Sequence, residues 1–177
     1  AVCCTNLYGE ILELYREGHL QIPGDVIMIW ADNGYGKMVS RRQGNHNPRV
    51  SALPTEGDKG RHGTYYHVSF YDLQAANHIT MLPNSMEFVE KEWNDAMTHG
   101  ITDLWVINAS NIKPHVYPLS FIANLWKRNA LSAGEHRKKY VSEYYGTDCT
   151  ENELAFMEEC IKRYPEVMLP FGDREDE

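Results

Sequence analysis

Val26-Ile27-Met28-Ile29-Trp30, running on into Ala31-Asp32-Asn33-Gly34-Tyr35-Gly36, decides the fold class. Five apolar residues in succession, with no polar alternation, suit a strand buried on both faces, as in a parallel sheet. A polar, glycine-bearing turn follows at once. Two further segments repeat the arrangement. Thr64 to Phe70 is β-branched and aromatic, and it ends at Tyr71-Asp72. Leu104 to Ile107 reads as a third buried strand and leads into Asn108 through His115.

Helical segments separate these strands. Thr5 to Gly18 has Leu7, Ile11, Leu14 and Tyr15 at helical spacing, with Gly18 placed to end it. A short helix is expected from Gln74. Another starts at Asn84, read as its N-cap with Glu87 three residues on, and stops at Gly100. Pro118 to Trp126 follows the third strand. Helices over about 134–145 and 151–164 close the chain, the second opened by Thr150 and Glu153. Strands alternating with helices imply a parallel sheet with right-handed crossovers. The fold class is therefore α/β, with about three parallel βα units followed by a helical segment. Residues 1–133 are expected to form the α/β part, and 134–177 a helical region with an acidic tail.

The composition limits the function. The chain has 177 residues, with 17 Lys+Arg against 25 Asp+Glu and a net charge of −8. An acidic chain without a basic run argues against nucleic acid as the main partner. No stretch approaches the ~18–20 apolar residues of a membrane helix. The 8 His show no zinc-type spacing, so no metal is expected, and no phosphate-binding glycine motif occurs. Cys3 and Cys4 are adjacent. Cys149 and Cys160 are read as two thiols or, in an oxidising compartment, as a disulfide.

In parallel α/β proteins, ligands bind at the C-terminal ends of the strands. Three strand ends here are polar. Asp32, Asn33, Tyr35 and Lys37 follow the first; His67, Ser69, Tyr71 and Asp72 close the second; Asn108, Asn111, Lys113 and His115 follow the third. Asp32, directly after an apolar run and before a Gly-x-Gly turn, is the first candidate for acid–base work; Asp72, which could simply cap the next segment, is the second. The competing reading of Asp32 is a turn residue that binds its own backbone. Arg41, Arg42, Lys37 and Lys113 supply cations suited to a carboxylate ligand. Tyr35, Tyr65, Tyr66, Tyr71 and Tyr117 offer flat faces for sugar rings, although three of the five are expected to serve packing.

The blocks VIMIWADNGYGKMVSRRQGNHNPR, RHGTYYHVSFYDLQAANHITML and LWVINASNIKPHVYPLSFIANLW resemble consecutive blocks of glycoside hydrolase family 115, the xylan α-1,2-glucuronidases, in a fungal-type form. The resemblance runs from about residue 10 to about 165. It implies a (β/α)8 barrel followed by a helical domain, with glucuronic acid or its 4-O-methyl form removed from glucuronoxylan or aldouronic acids by inversion, without a cofactor. It also implies secretion. The resemblance leaves open which two carboxylates carry the inversion; Asp32 is read as one of them or as orienting the water, Asp72 stays the second candidate from its strand end, and Asn33, Tyr35, Arg41, Arg42, His67, Asn108, Lys113 and His115 are candidate substrate contacts. Relatives of the bacterial type tend to carry Gly-Asp where Ser110-Asn111 stands here. A full barrel needs roughly 200–250 residues, so the chain is expected to be the later part of a longer enzyme. Its partner is then the N-terminal part of the same polypeptide, and alone it is expected to be inactive and to associate or misfold. Two alternatives stand beside this reading: a noncatalytic carbohydrate-binding or interaction module, and a flavodoxin-like small-ligand domain.

Overall fold

The computed structural model describes residues 1–40, 50–69, 82–128 and 131–167. It contains four strands, β1 (Cys4–Leu7), β2 (Ile27–Ala31), β3 (His62–His67) and β4 (Leu104–Asn108). Five α-helices accompany them: α1 (Glu10–Arg16), α2 (Met86–Thr98), α3 (Val116–Trp126), α4 (Ala133–Tyr145) and α5 (Glu151–Val167). The strands form one parallel sheet in sequential order β1-β2-β3-β4.

The packing of the helices tells which kind of α/β sheet this is. Trp30 meets Tyr15 of α1 edge-on, Tyr66 packs on Trp93 of α2, and Trp105 touches both Trp93 and Trp126 of α3. Trp30 is in register with Thr64, and Thr64 with Trp105, so all three helices cover one face of the sheet. A doubly wound sheet carries helices on both faces and reverses its strand order. Sequential strands with helices on one side form a segment of an α/β barrel, so the flavodoxin-like alternative falls away. Ile29, Ala31, Tyr65, His67, Val106 and Asn108 face the opposite side, which is the interior side of a barrel.

Several expectations change in detail. Residues 5–7 are not helical: a short strand occupies Cys4–Leu7, and α1 begins only after Gly9, which takes a φ of 56°. This later start shifts the helix phase, so Leu12 is buried while Ile11 and Leu14 stay partly exposed. The sheet thus has four strands rather than three. Ser85, not Asn84, caps α2, accepting from Phe88 N–H. β4 is only half-buried, because it lies at an open edge of the sheet with no neighbour beyond it among the described residues. The Thr150–Glu153 cap on α5 is present, and α4 has a full capping box of Ser132 and Glu135. The helix expected from Gln74 lies outside the described residues.

The core is dominated by Trp30, Tyr66, Trp93 and Phe121, all essentially buried. Trp93 and Trp105 have ring centroids 3.8 Å apart. Gly63 lets β3 and β4 approach closely: a Cβ there would lie 2.5 Å from Leu104 O.

A polar knot ties α1 to the loop before β3. Arg16 bonds Asp58 at 2.7 Å and Leu53 O at 2.7 Å, with its guanidinium 4.6 Å from the Trp30 ring centre. Burial by itself would raise the Asp58 pKa, but hydrogen bonds from Arg16, Thr55 and Tyr15 outweigh it and lower the pKa to about 2. Burial, then the bond to Asp58, pushes the Tyr15 phenol up to about 12. Because the folded pKa of Asp58 lies below its unfolded value, the knot stabilises fully above the ordinary carboxylate pKa. The stabilisation is lost as pH falls from about 4 toward 2. Hydrogen exchange at Asp58 N–H, which donates to Thr55 O, is expected to lose about 1–2 kcal/mol of protection between pH 6 and pH 3 after correction for intrinsic rates. Asp58→Asn is expected to abolish that pH dependence; an unchanged dependence in the variant would assign it to another group.

Candidate active site at the strand ends

The turn after β2 is folded by its own side chains. Asn33 Oδ1 accepts from Tyr35 N–H at 2.9 Å and from Lys37 N–H at 3.2 Å, and Asn33 N–H donates to Lys37 O at 3.0 Å. Gly34 and Gly36 supply the left-handed residues, with φ of 93° and 87°. At Gly36 the requirement is also steric, because a Cβ would lie 2.7 Å from the Tyr66 hydroxyl.

Asp32 stands at the centre of this turn, and its side chain is entirely buried. One carboxylate oxygen accepts from Gly36 N–H at 2.7 Å and lies 3.4 Å from His67 N, while the other meets His67 Nδ1 at 2.5 Å. The turn reading of Asp32 and the site reading are therefore both partly right: the same carboxylate closes the loop and holds a histidine from the neighbouring strand. The pairing of Ala31 with Tyr65 brings the two ends level. His67 is flanked by Tyr65 edge-on at 4.8 Å and by Tyr8 at 6.3 Å. Asn108, in register with His67, donates from its side-chain amide to the Tyr65 hydroxyl at 2.8 Å. Asp32, Asn33, Tyr35, His67 and Asn108 thus gather at the C-terminal rim of three adjacent strands.

Two residues that the sequence reading did not assign to the site support this rim. Glu92 of α2 is buried and accepts Met38 N–H at 2.8 Å, fixing the exit of the turn. Its signal in the sequence is a carboxylate on a helix face otherwise made by Met86, Val89, Trp93 and Ala96. Asn84 donates to Tyr35 O. Burial first, then the charges of Asp32 and Glu92, raise the Tyr66 phenol well above its ordinary pKa, so it stays protonated.

Lys113 and His115 point elsewhere. They line a cavity of about 380 Å³ between the starts of α2 and α3 and the helices α4 and α5. Asn84 also lines that cavity, so the two sites adjoin. Arg41, Arg42, Tyr71 and Asp72 lie outside the described residues. The two arms flanking residues 41–49 pair with each other, Ser40 N–H donating to Val50 O and Ala52 N–H to Met38 O. Of the tyrosines, Tyr66 is core and Tyr117 packs on His136. All four cysteines are free thiols, so Cys149 and Cys160 are not bridged. Among the described residues, no three His, Cys, Asp or Glu side chains come together in a way that would hold a metal ion. No helix among them is long and apolar enough to cross a membrane.

A partial α/β barrel with a polar site on the C-terminal rim of its strands is a frequent enzyme architecture. The sequence matches the profile of Glycosyl hydrolase family 115 over residues 1–169, and the chain belongs to that family. Its fold is similar to that of a solved family GH115 4-O-methyl-α-glucuronidase, BtGH115A, described as having specificity for decorated arabinogalactans. The identity is 27% and the TM-score 0.72, over 93% of this chain and 21% of that one. The chain therefore spans about a fifth of the length of that protein. Among curated proteins, no match is found.

Proposed function

We propose that this chain is the later part of a secreted glucuronidase barrel. The enzyme removes α-1,2-linked glucuronic acid or its 4-O-methyl ether from a decorated polysaccharide, with glucuronoxylan the favoured backbone. Family membership supports the reaction class. The observation that carries the placement of the site is the buried Asp32–His67 pair, 2.5 Å apart at adjoining strand ends.

Asp32 acts here as a positioning residue. Its carboxylate is wholly buried and engaged twice, so it orients the imidazole. His67, Asn108 and Tyr35 face the sugar, with Asn33 shaping the turn. Arg41 and Arg42 are assigned to the uronate carboxylate, and Asp72 remains the second candidate carboxyl group. Inversion requires an acid and a base ~6.5–9.5 Å apart, leaving room for the attacking water. One protonates the leaving xylosyl oxygen, and the other takes a proton from water. The rest of the barrel lies in the preceding part of the same polypeptide and closes the pocket from the other side. No cofactor is needed for this chemistry. Incubating the whole polypeptide with aldouronic acids, and following uronic acid release, tests the reading.

A further inference from the structure

The cavity beside the strand-end site has the chemistry of an anion-binding sugar pocket. The chain as a whole carries a net charge of −8. Yet the cavity wall holds the cations Lys113, Arg137 and Lys162 against the single carboxylate of Glu87. Arg137 is already engaged: it bonds Glu87 at 3.0 Å, and Glu158 lies 3.8 Å from it. Lys113 and Lys162 have no salt-bridge partner among the described residues. Ser85 also lines the cavity, so the N-terminal end of α2, the positive end of a 13-residue helix, opens there.

The second observation is His115. It is 1% exposed and lines the same cavity. Its Nδ1 lies 2.5 Å from Asn111 O. A carbonyl only accepts, so Nδ1 carries the proton and Nε2 is left as the other polar atom of the ring. That buried Nε2 has no hydrogen-bond partner among the described residues. Buried polar atoms are rarely left unpaired without a ligand or water to satisfy them. With the proton on Nδ1, Nε2 is the acceptor of the ring and suits a sugar hydroxyl. Tyr140 and Tyr164 add aromatic walls.

We propose that this cavity is a second uronate subsite. It holds the carboxylate of an acidic sugar neighbouring the one at the strand ends through Lys113 and Lys162, and a hydroxyl of that sugar through His115. The proposal rests on the glucuronidase reading for the identity of the polymer, and it makes the chain a reader of clustered rather than isolated acidic side groups.

The test uses the whole polypeptide in an Asp32→Asn background, where turnover is slow. Calorimetry measures binding of a xylo-oligosaccharide carrying two glucuronic acid groups, and of its methyl ester. Lys162 is exposed, so Lys162→Met is expected to keep the melting temperature. The variant is expected to lose about tenfold in affinity for the acid and little for the ester. His115→Gln is expected to weaken both ligands. Equal affinity of the parent, Lys162→Met and His115→Gln for the acid would overturn the subsite. Uronic acid release by the enzyme with Asp32 intact is measured alongside. If release is absent but binding depends on Lys162, the subsite stands and the assigned reaction fails. If release is present and binding ignores both variants, the reaction stands and the subsite fails.

Discussion

Asp32→Asn in the whole polypeptide is expected to lower kcat/KM for aldouronic acids by roughly 10²–10⁴-fold, the range for losing a group that serves acid–base chemistry. The substitution keeps the shape. The new amide oxygen can still accept from Gly36 N–H, which lies 2.7 Å from the native carboxylate. What disappears is the negative charge facing His67 Nδ1 at 2.5 Å. If Asp32 acted only by closing the turn, the variant would melt lower with little change in the chemical step. As a positioning residue it acts through the orientation of the His67 ring, so kcat/KM falls while the melting temperature holds. Asp32→Glu, which restores the charge in a turn fitted to the shorter side chain, is expected to recover only part of the activity. Asp32→Ala removes the acceptor as well and strands buried donors of His67 and Gly36, at a further cost of about 1–3 kcal/mol in stability. A variant Asp32→Asn with parental kcat/KM would remove Asp32 from the mechanism.

Trp93→Ala is expected to have the largest effect on stability. Trp93 is 1% exposed and lies between Tyr66, 5.0 Å away, and Trp105, 3.8 Å away, measured between ring centres. Truncation leaves a cavity beneath the sheet where α2 joins β3 and β4. Losses of this kind are about 3–5 kcal/mol. Its indole N–H has no partner among the described residues, so the loss comes from packing rather than from a broken hydrogen bond. Urea unfolding of the whole polypeptide should show the lowered midpoint. Trp93→Phe, which retains a ring, should fall well short of the alanine variant. Equal losses for both would point to the indole shape itself. Because Tyr66 rests on Trp93 and reaches the Gly36 turn, the alanine variant should also loosen the active-site loop.

The parts of the fold visible in the sequence were those with strong local patterns. Val26 to Trp30 is apolar throughout, because β2 has a neighbour on each side and cover on both faces. The Thr150–Glu153 pair announces α5, since both members of a capping box lie within one turn of each other. β1 had no such signal: Cys-Thr-Asn-Leu is short, polar at two positions and exposed along an edge. The apolar residues around it matched a helix equally well until Gly9 fixed where the helix starts. Leu104 to Ile107 had the composition of a buried strand, but burial depends on a neighbour, and no strand lies beyond β4 among the described residues.

The site was legible as a set of strand ends and not as a set of contacts. Asp32, His67 and Asn108 were found because each ends an apolar segment. That Asp32 bonds His67 follows from sheet register, which links residues 35 positions apart. Glu92 reaches Met38 across 54 positions because α2 packs against the sheet beside the turn. Lys113 and His115 were assigned to the sugar site because they follow the third polar strand end. The short turn Lys113–His115 and the start of α3 carry them to the adjoining cavity instead.

The strand ends are proposed to belong to an inverting uronate hydrolase. Proton NMR of the whole polypeptide acting on a short aldouronic acid tests it most directly. Inversion at an α-linkage predicts the β-anomer of glucuronic acid, or of its 4-O-methyl ether, as the first product signal, with the α-anomer appearing only by mutarotation. No release of uronic acid, or the α-anomer appearing first, would rule out an inverting glucuronidase.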